Sequence, residues 1–373
     1  MLNHLNHKAI QGFGQYDRVT LDDIPVDVAK ALLRQMVRLR RIEEALHEEY
    51  HPADEMRCPI HFCVGQEAIP AALSLCVDKE DYLFSHHRSH GYYFAKGAPL
   101  EQLFSELYGR ATGANGGRAG SQDISHTATK FFSGAILAGA VAIGTGAAFG
   151  ISLRNSKHIS VCGLGEGATD EGTFWEAMNF AGNLKLPVLF VVENNRYATA
   201  SDQLKRQASD NICERVRPFG VRATKIFGND VCLAYRTIKE EVSRLRSGYG
   251  PGLIEAYTFR WSSHVGPEDD GANYYRTKGE MDFWKQNCPI VLLENSLVSH
   301  GYFDFWEKDE WEQEIAAEIS GLFSYAKTSV FPHLVDWYRA NVNEASKIAS
   351  ELSSESETGY YDMYQADAKL APY

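Results

Sequence analysis

The stretch from His158 to Tyr197 limits the possible folds of this chain more than any other part of its sequence. A short apolar run, Ile159 to Cys162, ends at Gly163, and a glycine-rich turn over residues 163–167 follows it. The next apolar residues recur at three- and four-residue spacing, which predicts a helix: Phe174, Ala177, Met178 and Ala181. After Pro187, the unbroken apolar run 188–192 is typical of a strand that is buried on both faces. The stretch therefore predicts a strand, a turn, a helix and a second, parallel strand.

Polar residues follow both predicted strands. Glu166 lies in the glycine turn and Asn195 comes directly after the second strand, 195 − 166 = 29 positions later, so both side chains could reach one site. The helix N-terminus beside the first strand favours a phosphate group. Because a carboxylate repels a phosphate, Glu166 makes most sense with a Mg²⁺ ion between the two.

The glycine spacing by itself leaves a second cofactor open. Gly163-x-Gly165-x-x-Ala168 also fits the dinucleotide-binding fingerprint. Glu193 would then be the acid that binds the ribose, 193 − 168 = 25 positions after the last small residue.

The turn and the phrase Glu193-Asn194-Asn195-Arg196-Tyr197 resemble the thiamine diphosphate signature of the α subunits of 2-oxo acid dehydrogenase decarboxylase components (pyruvate, branched-chain and acetoin types). This chain has Gly165-Glu166-Gly167 where that family has Gly-Asp-Gly. The resemblance, over roughly residues 27–338, implies a metal site formed by Glu166, Asn195 and the Tyr197 carbonyl. It also implies that Gly165, Gly167 and Ala168 border the cofactor. The longer glutamate would suit Mg²⁺, or a larger ion such as Ca²⁺ or Mn²⁺.

Further phrases of the same family occur elsewhere in the chain. His61 matches the channel histidine of a His-x-x-x-Gly-Gln-Glu-Ala phrase, and His87-Arg88 match the diphosphate-binding pair of His-Arg-x-His-Gly. His264 matches a histidine that contacts the diphosphate and orders the channel loop. The resemblance thus implies catalytic roles for His61 and His264. Ile136 and Ala138 match positions whose backbone holds the aminopyrimidine ring of the cofactor.

The histidines near position 87 also allow another interpretation. His86, His87 and His90 could form a zinc site, but all three lie within five positions and no second cluster supplies a distant ligand. A phosphate cradle is better supported, because the guanidinium of Arg88 matches phosphate oxygens.

Alternating apolar strands and amphipathic helices predict an α/β fold with a doubly wound, mainly parallel sheet, helices on both faces and a helical C-terminal part. We expect an N-terminal arm over 1–24, lying on a neighbour or partly disordered, and a diphosphate-binding domain over 25–300. A helical part over 301–340 and an acidic, partly disordered tail over 341–373 complete the predicted organisation.

The formal charge of 37 − 49 = −12 argues against a nucleic-acid or anionic-membrane surface. No apolar run is long enough to span a bilayer, and no signal segment is visible at the N-terminus. Seven scattered cysteines are typical of free thiols in a reducing cytoplasm.

The resemblance implies an α subunit that is half of an active site. A β subunit, in an α2β2 assembly, would supply the glutamate that activates the cofactor, a 2-oxo acid or related ketone would be the substrate, and a lipoyl acyltransferase is a possible further partner. Three alternatives remain open. The chain could be a carboligase or acyl-transfer enzyme without a lipoyl complex, a catalytically silent subunit, or, least favoured, a nicotinamide-binding oxidoreductase.

Overall fold

The structure is a computed structural model that describes residues 18–53, 55–56, 58–268 and 275–333. The chain divides into a compact unit that ends at Ser329 and a second unit that begins at Val330. Only residues 330–333 of the second unit are described, so the predicted tail over 341–373 lies outside the described residues.

Twelve α-helices can be assigned within the described residues. In chain order they are α1 Val26–Ala53, α2 Ala68–Ser74, α3 His90–Ala95, α4 Leu100–Leu107, α5 Gly139–Leu153, α6 Gly172–Leu184, α7 Gln203–Arg206, α8 Ile212–Val216, α9 Val231–Arg246, α10 Lys278–Gln286, α11 Pro289–Ser299 and α12 Phe305–Thr328.

Nine strands accompany these helices. They are β1 Tyr82–Ser85, β2 Ser125–His126, β3 Phe131–Ser133, β4 Ser160–Gly165, β5 Val188–Asn194, β6 Tyr197–Ala198, β7 Ser201–Asp202, β8 Arg222–Phe227 and β9 Gly252–Tyr257. Seven of them form one sheet in the order β2-β3-β1-β4-β5-β9-β8, and β6 pairs with β7 in a small hairpin. Every neighbouring pair in the large sheet is parallel except β2 with β3.

Strand β5 shows why the sheet needs helices on both faces. All seven of its residues are buried. Leu189 and Val191 belong to the hydrophobic cluster that includes α1 and α9, whereas Phe190 and Val192 belong to the cluster that includes α5 and α6. Since successive side chains of a strand point to opposite faces, both faces are covered. The predicted doubly wound, mainly parallel fold is confirmed.

The central unit differs from the prediction at its turn. Strand β4 continues to Gly165 instead of ending at Gly163, a 3₁₀ turn spans Glu166–Asp170, and the helix begins only at Gly172. Gly163 is therefore a strand residue rather than part of a ligand-facing turn. A Cβ atom at this position would lie 2.4 Å from the ring of Tyr92, so the glycine makes room for that aromatic side chain.

The described ends of the chain pack on helices of the same unit. Val19, within the predicted arm, donates its backbone N–H to the carbonyl of Leu292 and accepts a bond from the Ser296 hydroxyl. The described part of the predicted arm, residues 18–24, thus packs on this chain, and residues 1–17 lie outside the described residues. Helix α12 lies along α1 through the ion pairs Lys30–Glu307, Arg34–Glu314, Arg38–Glu318 and Arg41–Glu312.

All seven cysteines carry free thiols, as the sequence predicted. Among the described residues, no helix combines the length and the hydropathy needed to cross a bilayer.

Candidate active site

A cavity of about 230 Å³ lies at the carboxyl ends of β1, β4 and β5. In the large sheet, β3 pairs with one edge of β1 and β4 pairs with the other edge. The chain thus adds strands first on one side of β1 and then on its other side, so the strand order reverses between β1 and β4. Ligands of open α/β sheets bind at such a point. The lining residues are His61, Gln66, His86, His87, Arg88, Gln122, Ala135, Leu137, Gly165, Glu166, Gly167, Ala168, Glu193, Asn195, Tyr197, Ala198, Thr199 and His264.

Most of the candidate residues chosen from the sequence lie along this cavity, and two do not. Those in the lining are His61, His87, Arg88, Gly165, Glu166, Gly167, Ala168, Asn195, Tyr197 and His264. Ile136 is 72% exposed and borders an adjacent apolar groove, whereas Ala138 is fully buried. Their neighbours Ala135 and Leu137 line the cavity in their place.

Glu166 is the one buried carboxylate in the glycine turn. Its side chain is 1% exposed, and Oε1 accepts a hydrogen bond of 2.6 Å from Nη2 of Arg206. Burial raises the pKa of Glu166 to about 7, although the charge of Arg206 acts in the opposite direction. A cation in the cavity would therefore meet a carboxylate that is only partly ionised near neutral pH.

The two asparagines after β5 have different surroundings. Asn194 is fully buried, and its side-chain amide donates to Glu255 and Gln203. Asn195 borders the cavity, and its Oδ1 accepts the backbone N–H of Tyr197 at 3.0 Å. Arg196, the residue after Asn195, has a positive φ of 70°, so the chain turns directly after the second asparagine. Only the second asparagine is available to a ligand.

The side chain of Tyr197 points to another partner. Its hydroxyl donates to Oε2 of Glu280 at 2.8 Å, and burial raises its pKa. A contribution of Tyr197 to a metal site would thus come from its backbone carbonyl.

Three histidines from separate segments meet at the other end of the lining. The ring of His61 is centred 4.5 Å from that of His87 and 4.9 Å from that of His264, and the last two are 5.3 Å apart. Burial, and next the charge of Arg88, lower the pKa of His61 to about 2. Burial also lowers the pKa of His87, with His86 and Arg88 adding to the effect. His61 and His87 are thus neutral at physiological pH, and each ring offers one nitrogen that can accept a hydrogen bond.

Arg88 joins the segments that carry these histidines. Its guanidinium donates to the carbonyl of Phe62 and, at 3.3 Å, to the carbonyl of His264. Burial lowers the pKa of Arg88 to about 10, so the group stays charged. The arginine therefore both positions the cluster and supplies positive charge to the cavity.

His86, which sequence analysis considered only as a possible zinc ligand, also lines the cavity. Its Nδ1 accepts the backbone N–H of Arg88 at 3.0 Å, so Nε2 carries the proton. Nε2 is buried and has no hydrogen-bond partner within the described residues, and Oε2 of Glu193 lies 3.6 Å away. Oε1 of Gln66, also in the lining, is buried without a partner as well. Buried polar atoms are rarely left unpaired, so both atoms indicate space for a polar ligand.

Glu193, the ribose acid of the dinucleotide interpretation, is held by the protein. Its Oε2 accepts the hydroxyl of Tyr92 at 2.8 Å, and the side chain is 3% exposed. The tyrosine ring that makes this contact occupies the space beside Gly163.

The glycine-rich loop beside the cavity is organised by one side chain. Glu106, at the end of α4, is buried and accepts the backbone N–H groups of four loop residues: Asn115, Gly117, Ala119 and Gly120. The loop continues to Gln122, whose amide lies 3.4 Å from Nδ1 of His61. The next loop residue, Ser121, is held by a different side chain. Its hydroxyl meets Nε2 of His90 at 2.9 Å, and Nδ1 of His90 meets Glu43 at 2.6 Å.

Sequence analysis did not single out Gln66, Gln122 or Arg206 as site residues, and it considered His86 only as a zinc ligand. Gln66 and His86 stand inside phrases that were recognised, so their position next to His61 and His87 was the available signal. Gln122 and Arg206 reach the site through the course of their loops, for which the sequence carries no motif.

Comparison with known proteins gives a family for most of the chain. Residues 34–335 match the family described as dehydrogenase E1 component. The α subunit of acetoin:2,6-dichlorophenolindophenol oxidoreductase from Bacillus subtilis is 30% identical over 304 residues, which cover 81% of this chain and 89% of that protein. The corresponding subunit from Cupriavidus necator is 31% identical over 314 residues, or 83% and 93% of the two chains. The pyruvate dehydrogenase E1 component subunit alpha of Porphyra purpurea is 28% identical over 316 residues, or 83% and 91%.

A solved structure shares the fold at lower sequence identity. Transketolase from Campylobacter jejuni superimposes with a TM-score of 0.51 and 16% identity, covering 76% of this chain and 48% of the transketolase chain. This likeness supports the doubly wound architecture and concerns the fold alone.

Proposed function

Because this chain belongs to the dehydrogenase E1 component family, we propose that it is the α subunit of a thiamine diphosphate- and Mg²⁺-dependent enzyme. The substrate would be a 2-oxo acid, which loses CO₂ while its acyl group passes to an acceptor, or a related ketone. One observation carries the proposal. The oxygen ligands Glu166 and Asn195 and the cationic and imidazole groups of Arg88 and His87 line one cavity at the strand-order reversal.

The residues present fit a metal-bound diphosphate. Glu166, Asn195 and the Tyr197 carbonyl are the hard oxygen ligands that Mg²⁺ prefers, with Ca²⁺ or Mn²⁺ as larger alternatives. Arg88 and His87 would bind phosphate oxygens, and the unpaired Nε2–H of His86 could donate a further bond. Gly165 leaves open space where a side chain would stand, and Gly167 admits no side chain because its Cβ would meet Ala198 at 2.9 Å.

Thiamine diphosphate, when bound, would supply the nucleophilic carbon and the electron sink for the carbanion. The protein residues would bind and orient. His61 and His264, 4.9 Å apart by ring centres, would orient the substrate's oxygen and serve in the transfer of its proton. Gln122 would fix the ring of His61, and Arg88 would hold the segment that carries His264.

Among the described residues that line the cavity, no carboxylate is left to activate the aminopyrimidine ring. The cavity lining contains two carboxylates, Glu166, which the metal would use, and Glu193, which is bonded to Tyr92. We therefore assign the activating glutamate to a β subunit, in an assembly of the α2β2 kind.

An exposed apolar face beside the cavity supports such a partner. On α5 and the segment before it, Ile136 is 72% exposed, Ile143 65% and Leu153 68%, and Phe180 and Leu184 of α6 are 42% and 41% exposed. Contiguous apolar surface of this kind marks an interaction site. The partner that the relatives' names imply is the complementary subunit of the same enzyme. A lipoyl acyltransferase would be a further partner only if the acyl group is passed to lipoamide.

A carboligase or acyl-transfer enzyme without a lipoyl complex is the second candidate. The two acetoin-oxidoreductase relatives favour a ketone such as acetoin as the substrate. A silent subunit and a nicotinamide-binding oxidoreductase have less support.

Isothermal titration calorimetry tests the proposal. The chain, alone and with its candidate β subunit, is titrated with thiamine diphosphate in Mg²⁺, Mn²⁺ or Ca²⁺, and Glu166→Gln is the matched control for the metal. We expect metal-dependent binding, strongest with the β chain and weakened in the variant. Absence of binding in every mixture overturns both enzyme candidates, and binding of NAD instead would favour the oxidoreductase.

Turnover separates the remaining candidates. The α and β chains together are supplied with a panel of 2-oxo acids and with acetoin, and dye reduction, CO₂ release and carboligation products are measured. Cofactor binding without any turnover would identify a silent subunit.

A further inference from the structure

We propose that His61, His87 and His264 form a second cation site, selective for a divalent transition metal of the zinc class and separate from the oxygen ligands of the Mg²⁺ site. One ring nitrogen of each histidine lies within 4.8 Å of the other two, on residues from three separate segments of the chain. The zinc site considered from the sequence used His86, His87 and His90, and the structure brings a different set together.

The nitrogen positions are close to those of a three-histidine metal site. Zn–N distances of 2.0–2.1 Å in a tetrahedral site place the nitrogens about 3.3 Å apart. The cluster must therefore contract by at most about 1.5 Å per pair. His87 and His264 are only partly buried and can rotate, while His61 is 5% exposed and fixed.

Gln122 sets the position of the proton on His61. Its side-chain Nε2 donates to Nδ1 of His61 at 3.4 Å. A half-turn of the amide would bring its oxygen to Nδ1 and leave Nε2 of His61 for a cation, which is the usual arrangement around metal-bound histidines. Binding of the ion therefore requires this rotation of Gln122.

The donor type decides the class of ion. Imidazole nitrogen suits zinc, cobalt, nickel and copper, whereas Mg²⁺ requires the oxygen atoms found at Glu166 and Asn195. Three histidines leave a fourth position open, as in catalytic zinc sites. Arg88 opposes a cation here, but two carboxylates, Glu166 and Glu193, line the same cavity.

Occupation by such an ion would exclude the diphosphate from His87 and the substrate from His61 and His264. This competition rests on the proposed function, whereas the metal site itself does not. The cofactor-free subunit would then be the form that captures the ion.

The test uses Co²⁺, whose visible absorption is strong in a tetrahedral site. The full chain is freed of metal by a chelator and titrated with Co²⁺, then with Zn²⁺. We expect one equivalent to bind with a tetrahedral spectrum and Zn²⁺ to displace it. Loss of an outer partner of a metal ligand costs 10–100-fold in affinity, so His87→Phe, which removes a ligand, should weaken binding by at least about 100-fold.

Two controls define the site. His126→Phe, at a histidine of β2 outside the cluster, should bind Co²⁺ like the wild type. X-ray absorption of the zinc-loaded wild type counts the imidazole ligands directly and does not depend on a variant that folds. No tetrahedral spectrum, unchanged binding in His87→Phe, or fewer than three imidazoles at the zinc would each overturn the proposal.

Cofactor calorimetry keeps this result distinct from the proposed function. Wild-type binding of magnesium thiamine diphosphate without a Co²⁺ site overturns only the present inference. A Co²⁺ site in a chain that never binds the cofactor overturns only the proposed function.

Discussion

Nη2 of Arg206 lies 2.6 Å from Oε1 of Glu166, and Nη1 of the same guanidinium contacts Asp170. Nε donates to the carbonyl of Ser201 at 3.2 Å, so all three nitrogens of the guanidinium are engaged. The arginine is thus a fixed neighbour of the carboxylate that the sequence singles out as a metal ligand. Its bond uses Oε1 and leaves Oε2 of Glu166 for a cation.

Replacing this arginine should weaken metal binding. Arg206→Met keeps the length of the side chain and removes its charge, so Glu166 loses both its orientation and the charge that favours its ionised form. We expect the affinity for Mg²⁺, measured calorimetrically with thiamine diphosphate at neutral pH, to fall by about tenfold or more. The control is Arg222→Met. Arg222 lies on edge strand β8 and forms an exposed ion pair with Glu240. Tighter Mg²⁺ binding in Arg206→Met would instead identify the arginine as a competitor of the metal.

The raised pKa of Glu166, about 7, makes metal binding depend on pH. A cation needs the ionised carboxylate, so the Mg²⁺ affinity should rise up to about pH 7 and level off above it. Titrations across this range measure the profile, and Glu166→Gln should lack the rise.

The stability of the cofactor-free chain should change in the opposite direction. The folded pKa of about 7 lies above the ordinary value of 4.5, so protonation of Glu166 favours the folded state. This contribution to the free energy of unfolding is complete below pH 4.5 and is lost as the pH rises through 7. The pKa difference of about 2.5 between the folded and ordinary values corresponds to about 3 kcal/mol. Unfolding of the wild type and Glu166→Gln is compared at several pH values. Parallel stability profiles would contradict the burial of an ionisable carboxylate here.

Loss of His61 should affect the reaction more than cofactor binding. Its ring is neutral and faces His264 rather than the oxygen ligands of the metal, so His61→Gln removes a proton carrier. We expect kcat to fall by about 10²- to 10⁴-fold, with calorimetric cofactor affinity nearly unchanged. His158→Gln, at a half-buried histidine before β4 and outside the cavity, is the control. An equal loss of cofactor affinity would place His61 in the binding site instead.

The exposed face of α5 should be needed for assembly. Ile143 is 65% exposed, so Ile143→Asp should change the stability of the isolated chain by less than about 1 kcal/mol. A charge buried in a subunit interface is costly, so association with the β chain should weaken strongly in analytical ultracentrifugation. Val291→Asp, at a 45% exposed position of α11, is the matched control. Unchanged association of Ile143→Asp would move the interface elsewhere.

Local patterns were sufficient to predict the sheet, but they did not predict the course of its glycine turn. The apolar run of β5 and the helical spacing of α6 are short-range signals, and both elements lie where they were predicted. The course of the glycine turn could not be predicted, because Gly163 is needed for contact with Tyr92, 71 positions earlier in the chain (163 − 92 = 71). Contacts of this range leave no period in the sequence.

The candidate site shows the same limit. His61, Glu166 and Asn195 stand in recognisable phrases, and they line one cavity. Arg206 lies in a polar stretch with no motif and reaches Glu166 only because β6, β7 and α7 turn the chain back over the 3₁₀ turn. The role of Asn194, which bonds Glu255 and Gln203, likewise depends on neighbours that the sequence does not specify.

The loop held by Glu106 has a consequence for how this protein can diverge. Its four hydrogen bonds go to backbone N–H groups, which nearly every amino acid supplies. The side chains at the loop's non-glycine positions can therefore drift while its path stays the same, as long as the carboxylate on α4 and the crowded glycines Gly117 and Gly120 are kept. In an alignment of relatives, we expect a variable loop next to a single invariant acid that touches neither substrate nor cofactor.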